Sequence, residues 1–70
     1  MKATVGRTKI EGYYGPDMGE GRCLFVKIAR ARQTYSVARV VDGQIAEFDE
    51  MQALSDFTNA EVAEALMAAS

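Results

Sequence analysis

Asp42-Gly43 lies between two apolar stretches, Thr34 to Val41 and Gln44 to Phe48. Asp-Gly accepts the positive φ values of a type I′ turn, and that turn has the twist that two antiparallel strands need. The pair therefore commits the middle of the chain to a β-hairpin. A two-residue turn also sets a register, in which Val41 faces Gln44, Val40 faces Ile45 and Val37 faces Phe48.

Upstream, Arg22 to Ala31 reads as the strongest strand, with Leu24, Val26 and Ile28 alternating against Phe25, Lys27 and Ala29. Arg32-Gln33 is read as its turn into Thr34, which places Ile28 opposite Val37 and Leu24 opposite Val41. Residues 2–14 carry Val5, Ile10, Tyr13 and Tyr14 in a looser alternation, and Gly6 and Gly12 mark a bulge, a bend or a break into two short strands. Gly15-Pro16-Asp17-Met18-Gly19-Glu20-Gly21 is the clearest loop and serves as a hairpin connection.

After Phe48 the period changes. Asp49 can cap a first short helix. Thr58-Asn59-Ala60-Glu61 fits a capping box, with Phe57 and Val62 as a hydrophobic staple, and Val62, Ala65, Leu66 and Ala69 share one face. Two helices are preferred over one long helix from 50 to 69. Strands followed by helices imply an α+β fold, an antiparallel sheet of three to four strands backed by one or two C-terminal helices. Residues 1–70 are expected to form a single small domain.

A chain of 70 residues buries only about 60% of its unfolded surface and is marginally stable without a staple. There is one cysteine and no histidine, which excludes an intrachain disulfide and the usual Cys/His zinc sites. One Cys, four Met, no apolar run of membrane-spanning length and no secretory leader suit a protein of the cytoplasm.

Charge is segregated. All eight Lys and Arg fall in the first 39 residues, whereas seven of the ten acids follow residue 41 and meet no base there. The basic half is sheet and the acidic half ends in helix, so two surfaces of opposite sign are expected on one domain. An acidic total, with a pI near 4.9, argues against a nucleic-acid binder that uses its whole surface.

Combined with alternation, the expected register gathers Leu24, Val26, Ile28, Tyr35, Val37, Val41 and Phe48 on a core face under Met51, Leu54, Phe57, Val62 and Leu66. The opposite face gathers Phe25, Val40 and Ile45, and aligns Lys27, Ala38 and Glu47 across three strands. An apolar cluster rimmed by charge on a face expected to be wet marks a contact surface. Phe25, Lys27, Val40, Ile45 and Glu47, with Tyr13 added, are the expected partner-binding residues. Covering by the N-terminal strand is the plain alternative.

Arg39 falls on the expected core face, as a side chain whose stem packs while its head reaches water. Arg22, Arg30 and Arg32 form the alternative site, a basic sheet edge for nucleic acid with Tyr13, Tyr14 and Tyr35 interleaved. Asp17 and Glu20 lack a third ligand and read as turn residues. Cys23 reads as a small core residue, with no histidine to activate it. No triad, phosphate loop or metal set appears, so the chain is read as non-enzymatic and without cofactor.

The stretch Arg39-Val40-Val41-Asp42-Gly43, continuing through Phe48-Asp49 to Leu54 and Phe57, resembles a small bacteriophage-encoded anti-CRISPR protein of type I-F, which shares the strands-then-helices order. The resemblance implies an inhibitor that occupies a surface of a host protein complex, such as a CRISPR effector, and catalyses nothing. The same hairpin and helix look like the arm-type DNA-binding domains of tyrosine recombinases. The expectation is thus a protein-binding inhibitor of phage or mobile-element origin. The alternatives are a small nucleic-acid-binding module and a homodimeric accessory protein.

Overall fold

A computed structural model describes residues 1–17, 19–28 and 33–69. Five strands run as an antiparallel meander in the order β1-β2-β3-β4-β5: β1 Lys2–Val5, β2 Thr8–Tyr14, β3 Arg22–Ile28, β4 Thr34–Val41 and β5 Gln44–Phe48. Among the described residues one helix, α1 Asn59–Ala68, follows. The class is α+β with an antiparallel sheet, as expected, but the sheet has five strands rather than three or four. The extra strand comes from residues 2–14, which break at Gly6-Arg7 and pair Val5 with Thr8 across the turn. Gly6 takes a φ of +60° there.

The Asp42-Gly43 turn forms with φ values of 52° and 79°, and Val41 faces Gln44 and Val40 faces Ile45. Beyond these pairs the expected register fails. Leu24 faces Ala38 while Phe25 faces Ser36, so Val37 is an extra residue in β4. Val40 faces Ile45 while Arg39 faces Glu47, so Ala46 is an extra residue in β5. Each extra residue is a β-bulge, and a bulge reverses the alternation of everything beyond it. The expected Arg32-Gln33 turn includes Arg32, which lies outside the described residues, and the pairing it implied for Ile28 and Leu24 is replaced by the register above.

The core consists of Val5, Ile10, Leu24, Val26, Val37, Ala38, Val40, Leu54, Val62, Ala63 and Leu66. The helix packs against β1, β2 and β4, so the sheet curls around it. At Gly12 the strand leaves room for a helix side chain. A Cβ built there would stand 2.7 Å from Leu66 Cδ1. Leu66 is fully buried and has nowhere to retreat. Gly12 therefore admits the helix rather than bending the strand. Gly12→Ala is expected to overpack this contact by about 1–3 kcal/mol. A thermal melt should show a lower Tm, and an unchanged Tm would mean that helix and strand are further apart.

Residues 49–57 are not helical, contrary to the preferred two-helix reading. Gln52 Nε2 donates to the Leu54 and Ser55 carbonyls at 2.6 and 3.2 Å. Asn59 reaches back into the same segment. Its Nδ2 donates to the carbonyls of Asp49 and Met51 at 2.8 and 2.9 Å, and its Oδ1 accepts from the Ala53 amide at 3.1 Å. Side chains thus take the backbone groups that a short helix would have used. The capping box at α1 does form. The Glu61 amide donates to Thr58 Oγ1 at 3.1 Å, and the Thr58 amide to Glu61 Oε1 at 3.2 Å.

Candidate functional interface

The helix and the 49–57 segment leave one face of the sheet uncovered. Alternation and register place Lys2, Lys9, Glu11 and Tyr13 on it from β1 and β2, Cys23, Phe25 and Lys27 from β3, and Ser36, Arg39 and Glu47 from β4 and β5. Tyr13 faces Phe25, and their rings stack with centroids 5.4 Å apart and planes 19° apart. Tyr13 is 45% exposed.

Charge alternates around this pair. Glu11 stands between Lys2 and Lys27 in one cross-strand row. Arg39 stands beside Glu47 and bonds it at 3.4 Å, and it also donates to the Glu20 carbonyl at 2.7 Å. The second bond ties the glycine-rich loop to the β4–β5 hairpin. In that loop Asp17 Oδ1 accepts from the Gly19 amide at 2.8 Å, which is turn chemistry. Ser36 Oγ donates to Asp49 Oδ2 at 2.8 Å, anchoring the end of β5.

Of the residues expected to bind a partner, Tyr13, Phe25, Lys27 and Glu47 share this outer face. Val40 and Ile45 do not. Val40 is 6% exposed and belongs to the core, and Ile45, opposite it, packs partly buried against the core. The bulge at Val37 turned both inward, and the bulge at Ala46 returned Glu47 to the outside. The expected Lys27–Ala38–Glu47 row is absent: Lys27 faces Thr34, in the regular pairing before the bulge, and Ala38, beyond the bulge, is buried. Arg39 moves the other way, from the expected core face to the outer one. Cys23, read as a core residue, is exposed on the same face. β1 and β2 extend the sheet sideways instead of covering the outer face.

The basic edge is not assembled. Arg22 pairs with Val40 and so lies on the side opposite the aromatic pair, where it lines a cavity of about 430 Å³ with Tyr14, Asp17, Val41 and Asp42. Arg30 and Arg32 lie outside the described residues. Among the described residues no group of three or more His, Cys, Asp or Glu could hold a metal ion, and no helix is long and apolar enough to cross a membrane.

Residues that the sequence reading missed are Arg39, which organises the outer face with Glu47, and Ser36 and Cys23, which sit beside Phe25. The alternation of β4 held the signal, but only with the bulge in place. Comparison with protein-family models, with curated proteins and with solved structures gives no match.

Proposed function

We propose that this chain is a non-catalytic protein-binding module that docks the outer face of its sheet onto a partner. The stacked Tyr13–Phe25 pair carries the reading. An aromatic centre with charges of both signs around it is the composition of a protein contact surface, where rings supply buried area and the charges set orientation. A nucleic-acid face would be uniformly basic, and Glu11 and Glu47 stand in the way of that.

The test is capture from a nuclease-treated bacterial lysate. The tagged protein should retain a defined set of proteins, and Tyr13→Ala with Lys27→Glu should retain at least tenfold less at an unchanged Tm. Equal capture by the variant, or capture of nucleic acid that disappears with nuclease, would overturn the reading. A Tm that rises with protein concentration would assign the face to a second copy instead.

Blocking a host complex such as a CRISPR effector is the specific action the resemblance implies. Expression in cells with active type I-F immunity is then expected to restore plaques of a targeted phage. Unchanged plating would remove that action and leave the binding face intact.

A further inference from the structure

The open edge of β5 is a second docking feature, built from residues other than the outer face. β5 bonds to β4 along one side, and the sheet ends there. None of its five residues is buried. The Asp49 amide donates to the Val37 carbonyl at 3.0 Å. Amides alternate in direction along a strand, so the Phe48 amide turns away from β4 toward the open side.

Strand edges of this kind are normally blunted by Lys, Pro or a covering element. β5 contains neither Lys nor Pro; its one such device is the bulge at Ala46, which leaves Glu47 and Phe48 in regular pairing with β4 on its far side. Among the described residues no strand pairs with its free side. Phe48 is 42% exposed, and Met51, three residues on, is 81% exposed. An unpaired edge flanked by exposed apolar side chains is what an added strand requires. The backbone provides the ladder, and the apolar groups receive alternate side chains.

Charge selects the occupant. Asp42, Asp49 and Glu50 flank the strand, and no base follows Arg39 anywhere in the chain; Glu47, within the strand, belongs to the outer face and pairs with Arg39. A second copy fits poorly, because antiparallel pairing of two β5 strands about Ala46 sets Asp42 of one against Glu50 of the other. We infer that β5 accepts an extended, basic segment of a partner protein as a sixth strand. This does not depend on the outer-face proposal, since the residues are different and the contact is made by backbone.

The probe is a synthetic Lys-Val-Lys-Val-Lys-Val peptide added to the full chain, followed by amide NMR. Shifts are expected to concentrate on residues 44–48. The same peptide N-methylated at alternate residues keeps its charge and side chains but loses ladder donors, and it should bind at least tenfold more weakly. A Glu-Val peptide of equal length should also bind at least tenfold more weakly. Equal binding of the N-methylated peptide would reduce the contact to charge attraction and overturn the proposal. So would equal binding of the Glu-Val peptide, shifts centred on Tyr13 and Phe25, or the same 44–48 shifts produced by raising protein concentration alone.

Discussion

Val40→Asp is expected to abolish folding. Val40 is almost fully enclosed among Leu24, Val37, Ala38 and their neighbours in the core. A carboxylate there either stays charged without a partner or takes up a proton and remains an unsatisfied polar group. Either state costs several kcal/mol. A domain of this length has a total stability of about 4–10 kcal/mol. Circular dichroism should show no cooperative melt, and amide resonances should collapse toward random-coil dispersion. Val40→Ala, which leaves only a small cavity, should remain folded with a lower Tm. The outcome discriminates sharply, because strict alternation from the Asp42-Gly43 turn places Val40 outside, where the Asp variant would be harmless. A Val40→Asp protein melting within a few degrees of the parent would mean that the bulge at Val37 is absent.

The second large effect is expected at Asn59. This side chain holds three backbone groups of the 49–53 stretch and is itself 6% exposed. Asn59→Ala removes the Ala53 amide's acceptor and the donors to the Asp49 and Met51 carbonyls. Each buried group left unpaired costs about 1–3 kcal/mol, and partial exposure of this segment readmits water to some of them. A net loss of about 2–4 kcal/mol corresponds to a Tm lower by roughly 10–25 °C for a domain of this size. Asn59→Asp separates the causes. It keeps the acceptor and places an anion at a helix N-terminus, which is favourable in itself. It also sets a carboxylate against two carbonyls. If the amide donors dominate, Asn59→Asp should be as damaging as Asn59→Ala. Recovery to near the parent Tm would show that the bond from Ala53 is the important one. Hydrogen exchange over residues 49–57 should accelerate in both variants before the sheet opens.

Both predictions turn on features that pattern alone does not reveal. The turn at Asp42-Gly43, the Val40–Ile45 pair, the inward set Leu24, Val26 and Ile28, and the capping box at Thr58 follow from local chemistry. Each depends on residues within a few positions of one another. Face assignment in β4 and β5 depends instead on parity, and one extra residue reverses it. With Val37 extra, both Val37 and Ala38 are buried in a core they share with β3, Leu54 and the helix. That is a packing condition set by residues far apart in sequence.

The candidate interface divides along the same line. Phe25 and Lys27 were legible, because β3 keeps its alternation throughout, and Tyr13 needed only the pairing of β2 with β3. Val40 and Arg39 exchanged faces, and no local signal marks the exchange. Asn59 reads as an ordinary early helix residue until the chain folds back to bring Asp49, Met51 and Ala53 within its reach. The antiparallel strands, their main turn, the helix start and the division of charge can be read from short stretches of chain, since propensity, capping and composition are local properties. Which side of the sheet faces water, where the helix fits at Gly12 and which edge stays open emerge only in the folded molecule, since these depend on how distant elements share one core.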